Sequence, residues 1–423
     1  MRWLEVEIGK VAEVASGFGF PREYQGVTGE ELPFFKVGDM NLHGNERCMT
    51  NVINTISATT LRKIKAKIFP KGTIVFPKIG AAIATNKKRM LIQPSVVDNN
   101  VMGFIPTPHI DEWYLFYWMQ QFDLRSVTNI GPVPSMRKTE VERVLIPLPP
   151  LSEQRRIVQI LDQADALRKK RAEADAKSNH IIPALFYKMF GDPFANPKRL
   201  PVKEVGDLLV LLRNGTTAVQ NQDGRGYPVT RIETISNGVI NAKRVRFVEL
   251  SDEELRKWKI EPGDILFSHI NSEAHIGKTA IYMGRPTPLI HGMNLLLMRP
   301  NTERVLPEYL YALLNMGSVR GSYRQRCKRA VNQASLNQKD ISALPVAVPS
   351  LERQKEFCCL VNGLLTQIER QKATTTQIDL LFEIFMHRAF TGELTAKWCE
   401  AHMKELLSEM EAQSKVLSVS SEQ

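Results

Sequence analysis

Long basic and amide side chains gather in a few short stretches of this chain. The first runs from Lys78 to Arg89 and holds Asn86, Lys87 and Lys88; Arg137-Lys138 follows. Later come Arg213, Asn214, Asn221, Gln222 and Arg225, then the run from His269 to Lys278. The last group is Arg320, Arg324, Arg326, Lys328, Arg329, Asn332 and Gln333. Arg and Lys suit guanine, Asn and Gln suit adenine, and any cation can pair with a phosphate. Arg320, Arg324 and Arg326 share much of one helix face, a pattern that fits a phosphate clamp. These stretches are the candidate DNA-binding residues.

The charge distribution agrees with a polyanionic partner. The chain has 423 residues and a formal net charge of +11. Residues 1–150 hold 18 Lys+Arg against 14 Asp+Glu, and residues 200–349 hold 20 against 14, whereas residues 350–423 hold 8 against 11. The excess lies on two large blocks, where neutralised phosphates would release counterions.

Motifs for catalysis are missing. An adenine methyltransferase needs an Asn/Asp-Pro-Pro-Tyr/Phe loop, and the one Pro-Pro pair, Pro149-Pro150, lies between leucines. No Glu-x-Lys tripeptide marks a metal-dependent nuclease. Ser272 to Thr279 ends like a phosphate-binding loop, but Ser272 replaces the glycine that lets amides curl around phosphate. Gly277-Lys278-Thr279 reads instead as a loop with a DNA-facing lysine. His269, His275 and His291 have no metal-ligand spacing, and the five cysteines form no CxxC pair. We therefore expect no catalytic, cofactor or metal site. No apolar run spans a bilayer, and acids stand where a signal peptide is apolar, so a cytoplasmic location is expected.

An internal repeat organises these stretches. Pro149-Pro150-Leu151-Ser152-Glu153-Gln154 recurs 200 positions later as Pro349-Ser350-Leu351-Glu352-Arg353-Gln354, and the register holds without a gap for some forty residues. Ile157, Ile160, Ala164, Leu167, Arg171, Ala174, Ser178, Ile181 and Leu185 alternate by three and four. So do Val361, Leu364, Ile368, Gln371, Thr375, Ile378, Phe382 and Phe385. That 3.5-residue period predicts two coiled-coil helices, with polar central positions that fix register and partner. Pro183 should kink or end the first near Ile182. Weaker echoes join the large blocks: Lys71 to Phe76 with Pro262 to Phe267, Asn100 to Pro106 with Asn294 to Pro300, and Glu112 to Leu115 with Pro307 to Leu310. The tail after about Thr395 is expected to begin as a charged helix and end in disordered, Ser-rich sequence.

The sequence resembles the specificity subunits of type I restriction–modification systems. The resemblance rests on Ile146 to Gln154 followed by Arg156-Ile157-Val158, on Phe190-Gly191-Asp192-Pro193, and on Phe390 to Thr395. Phe35-Lys36-Val37-Gly38-Asp39 and Thr230-Arg231-Ile232 match the family's strand signature. One departure is Ser350-Leu351-Glu352-Arg353-Gln354, which lacks the usual second proline and glutamate. The resemblance implies an α/β chain: two similar α/β target-recognition domains alternating with two long helices that pair as an antiparallel coiled coil. The expected divisions are 1–150 and 192–349 for the domains, 151–191 and 350–394 for the spacer helices, and 395–423 for the tail. It also implies a non-catalytic reader of a bipartite, asymmetric site on double-stranded DNA. Two copies of a methyltransferase subunit, carrying S-adenosylmethionine, would dock on it, and a translocase/nuclease subunit can join. A fused enzyme and a DNA-free coiled-coil adaptor are the alternatives.

Overall fold

The computed structural model describes residues 3–419 except 130, 179, 236–237, 273–274 and 331–332, and the side chains of 329, 330, 333, 366, 368, 369, 372, 373, 418 and 419 are likewise not described. It is a mixed α/β structure with two long helices. Its contacts group into two compact units, one made of Met1–Lys170 with Thr375–Gln423 and the other of Arg171–Thr374.

The first unit is built on a five-stranded sheet in the order Ala12–Ser16, Val101–Pro106, Ile74–Pro77, Arg89–Leu91, Cys48–Met49. Ile74 and Phe76 alternate toward the same core as Met102 and Phe104, as the two-residue strand period requires. The helix Glu112–Gln121 covers that face. Asp111 caps it by accepting the amides of Trp113 and Tyr114 at 2.9 and 3.1 Å. Tyr114, Leu115 and Met119 then bury themselves with Ile157 and Leu161 of the first long helix, Leu151–Ser178. Phe382, Phe385 and Phe390 of the second long helix, Leu351–Thr391, pack on the same cluster. Burying each such side chain stabilises the unit by roughly 1.5–3 kcal/mol.

The second unit repeats the plan with four strands: Leu209–Asn214, Leu296–Pro300, Ile265–Phe267, Thr279–Ile281. Here the helix Pro307–Leu314 covers the sheet, and Tyr309, Phe186, Phe190 and Phe357 form one aromatic cluster with centroid separations of 5.1–6.0 Å. The closing ladders also correspond. Val6 stands opposite Ile146 in one unit, and Lys203 opposite Val346 in the other.

The first long helix stops at Ser178, earlier than the Ile182 expected from Pro183. It resumes as Ile181–Phe190. Pro183 therefore falls in a first turn, where a missing N–H leaves no hydrogen bond unmade. The tail forms helices Ala396–Ala401 and Met403–Val419, so helix continues past Ser414 and Ser418, and the expected disordered end lies outside the described residues. Among the described residues, no helix is long and apolar enough to cross a membrane.

Candidate nucleic-acid interface

Each unit presents one loop cluster, and the two clusters share a construction. In the first unit the strand Ile74–Pro77 runs into Lys78. The Lys78 amide donates to the Asn100 carbonyl at 2.9 Å, and its carbonyl accepts the Met136 amide at 3.0 Å. Ile79 then bridges Ser135, which also bridges Asn129. This pairing brings Lys78 beside the exposed Arg137 and Lys138 at the start of the helix Lys138–Glu142. Lys138 lies 3.5 Å from Glu142, a weak exposed pair that a phosphate could replace.

In the second unit the strand Ile265–Phe267 runs into His269 by way of Ser268. The His269 carbonyl accepts the Leu336 amide at 2.8 Å, and Ile270 pairs with Ser335, which also pairs with Lys328. His269 thus occupies the position of Lys78, and Ser335 that of Ser135. Gly277, with φ +75°, turns the loop back against Tyr323 and Arg320. A side chain there would be strained, so the glycine lets Lys278 sit close to the helix Gly317–Arg326. Burial, and then the like charges of Arg320 and Arg324, push the Lys278 ammonium below its ordinary value. Burial and Arg324 lower Arg320 in the same direction. The loop thus brings Lys278 within electrostatic reach of Arg320 and Arg324. Arg326 and Lys328 are exposed beside it. Of the remaining candidates, Arg329 and Gln333 lie on strands Lys328–Ala330 and Gln333–Ser335, whereas Asn332 and the side chains of Arg329 and Gln333 lie outside the described residues.

Several candidate residues have structural work inside their own loops. Asn86 ends the turn Gly80–Thr85 with φ 52°, and its Oδ1 accepts the Leu124 amide at 3.0 Å. Lys88 is 1% exposed, and its ammonium donates to Asn86 Oδ1 at 2.9 Å and to the Phe122 carbonyl at 2.5 Å. Burial lowers it to about 8. Lys87 donates to Asn41 Oδ1 and Arg89 to the Lys88 carbonyl, the latter at 2.8 Å. Arg213 folds over Trp258, 5.0 Å from the ring centroid, and donates to the Lys257 carbonyl. Asn214 ends its strand exposed. Asn221 Oδ1 accepts the amides of Asp223 and Arg225 at 3.1 and 3.3 Å, closing a turn, and Arg225 lies 3.2 Å from Asp223. Gln222 is exposed at that turn. Arg213 and Asn214 lie on an edge strand of the four-stranded sheet whose other edge strand, Thr279–Ile281, follows Lys278, whereas Asn221 lies on a separate three-stranded sheet.

His269 is 7% exposed and His291 fully buried, and burial lowers both to about 4, so they sit neutral in the fold. His275 is exposed. Reading from sequence missed Arg244, which lines a cavity of mixed polarity with Ile232, Glu233, Ile235, Ser268, Asn271, His275 and Lys278. The run Lys243-Arg244-Val245-Arg246 was the available signal.

The chain is similar to known proteins in sequence and in fold. The family model described as "Type I restriction modification DNA specificity domain" matches residues 2–174 and 197–378. A putative MjaX specificity subunit from Methanocaldococcus jannaschii is 42% identical over 217 residues, covering 48% of this chain and 51% of that protein. The EcoKI specificity subunit of Escherichia coli K12 is 25% identical over 295 residues, covering 65% and 63%. The chain thus spans between half and two thirds of these relatives' length. In fold it is similar to the S subunit of a type I system from M. genitalium, with TM-score 0.51, 13% identity and coverage of 92% and 96%. It is also similar to a chain solved in work on complex assembly and conformational transition of the type I R-M system, with TM-score 0.58, 15% identity and coverage of 93% and 98%. With the family matched over most of its length, this chain belongs to the type I restriction modification DNA specificity domain family.

Proposed function

We propose that the chain is the non-catalytic specificity subunit of a type I restriction–modification complex. Its two recognition domains, 1–150 and 192–349, each read one half of a bipartite, asymmetric site on double-stranded DNA. The observation that carries this reading is the doubled loop cluster. Ile79 meets Ser135, Ile270 meets Ser335, and cations flank both pairings. Lys78, Lys87, Arg137 and Lys138 contact one half-site. Lys278, Arg320, Arg324, Arg326 and Lys328 contact the other. Asn86, Lys88 and Asn221 shape the loops that carry them.

The spacer helices, 151–191 and 350–394, pair as an antiparallel coiled coil that sets the gap between half-sites. Supporting contacts lie within each unit. Arg168 Nε donates to Asp379 Oδ1 at 2.9 Å, and Ser178 Oγ donates to Gln371 Oε1 at 3.3 Å. As the first partner's number rises, the second's falls, which is the antiparallel order. Ile160, Ala164 and Leu167 line one groove with Ile378, Phe382 and Phe385, as the 3.5-residue period predicts. The helices scaffold two copies of a methyltransferase subunit, which binds S-adenosylmethionine, and a translocase/nuclease subunit in the restriction complex. The complex works in the cytoplasm. A gel shift with and without the methyltransferase tests the reading. Salt-dependent, sequence-selective binding supports it, whereas methylation by the chain alone contradicts it.

A further inference from the structure

Resting on that reading, we propose that Arg47 is a positioning residue that locks the first recognition domain to the spacer and so enforces a single half-site gap. Arg47 stands at the edge of the five-stranded sheet, directly before the strand Cys48–Met49. Its guanidinium spans two carboxylates one helical turn apart. Nη2 donates to Asp162 Oδ1 at 2.6 Å and Nη1 to Asp165 Oδ2 at 2.7 Å. The plane stacks 4.3 Å from the Trp113 ring centroid, and the Tyr117 hydroxyl donates to the same Asp162 oxygen at 2.6 Å. A planar fork fits this arrangement, and an ammonium would not.

The charges continue outward. Asp165 also lies 2.9 Å from Lys169 and 3.7 Å from Arg168. Arg168 in turn holds Asp379 and stacks 4.4 Å from Phe382 on the second long helix. One network therefore ties the domain to both helices within the first unit.

Its location gives it leverage. The domain is already fixed near the helix start, where Gln154 Oε1 accepts the Asp111 amide at 2.7 Å. Beyond it Ile157 and Leu161 pack on the domain, and Phe382, Phe385 and Phe390 pack on the same cluster. The Arg47 clamp adds a directional polar contact at the far end of that packed stretch, eight to eleven residues after Gln154, or about 12–16 Å along the axis. In the second unit the near point recurs at Gln354, with Leu306 at 2.8 Å. The far one does not recur in kind. Asn362 and Leu365 stand 200 positions after Asp162 and Asp165, and Glu308 and Ala312 match Trp113 and Tyr117 in the helix alignment. The arginine fork is thus a feature of the first domain.

The test maps methylated positions across the genome of a strain carrying the full system with Arg47→Ala, Arg47→Lys, or Asp162→Asn with Asp165→Asn. The wild-type chain should give one bipartite motif with one gap. The variants should keep both half-sites and also methylate sites whose gap differs by one base pair. Discrimination between gaps should fall by about fivefold, the effect of removing one partly exposed ion-pair fork, with Arg47→Lys intermediate. An unchanged single gap in all variants overturns the proposal. So does loss of methylation at every gap in all of them, because the clamp would then serve folding alone. A wild-type chain that yields no bipartite motif would instead contradict the functional reading itself.

Discussion

Gln154 and Asp111 are joined by a hydrogen bond that the chain makes twice. Gln154 Oε1 accepts the Asp111 amide at 2.7 Å while its Nε2 donates to the Pro149 carbonyl at 2.8 Å. Two hundred positions later Gln354 does the same with Leu306 and Pro349, at 2.8 and 2.9 Å. Both glutamine side chains are fully buried. Gln154→Leu should strand a backbone donor and acceptor, costing roughly 1–3 kcal/mol for each group. Gln354→Leu should do likewise in the other unit. Urea unfolding of both variants checks this, and a destabilisation under about 0.5 kcal/mol would count against it.

Glu153 fastens the tail. Its carboxylate is buried and accepts the Trp3 indole at 2.9 Å, the Thr395 hydroxyl at 2.6 Å and the Cys399 thiol at 2.9 Å. Burial, followed by Glu153, raises that thiol to about 11, keeping it a donor. Glu153→Ala should release residues 395–419, seen as faster amide exchange and earlier proteolysis there than in the sheet. Equal protection in variant and wild type would contradict this.

Acid should weaken the second unit. His291 Nε2 lies 3.0 Å from the Leu295 carbonyl, which it meets as an N–H donor, and burial lowers the ring from 6.5 to about 4. The unfolded chain therefore binds the proton first. Stability is intact above about 6.5 and falls as pH drops toward 4, by about 3 kcal/mol for this ring. His269 adds in the same direction. Denaturation midpoints across this range should slope less steeply in His291→Asn.

Phosphate pairing should appear in the salt dependence. Replacing Lys278, Arg320 and Arg324 with alanine should weaken one half-site and lower the slope of log K against log salt by about 0.9 for each phosphate no longer neutralised. Replacing Lys78, Arg137 and Lys138 should act on the other half-site. Titrations at several salt concentrations separate the two, and an unchanged slope would move the DNA face elsewhere.

The repeat was legible because it is written in apolar spacing and in Pro-Leu-Gln punctuation, which a linear string preserves. Where a polar side chain points was not. Lys88 reads as one more cation in a basic run, yet its ammonium turns inward to a carbonyl 34 residues away. Asn221 reads as one of a group of candidate DNA-binding residues, yet its oxygen closes its own turn. Arg47 stands alone in the sequence, and its partners lie 115 and 118 positions on. Such pairings depend on strand register and helix facing, which local spacing does not encode.

The most direct measurement lengthens the spacer. Four residues inserted after Ala174 and four after Thr374 add one turn to each helix where the proposed pairing places them side by side. The reading surfaces should move apart by about 6 Å. At about 3.4 Å per base pair, the gap should grow by one or two base pairs. Genome-wide mapping of methylated positions should then show the two half-sites unchanged and the gap longer. An unchanged gap with full methylation, or altered half-sites, would contradict the account.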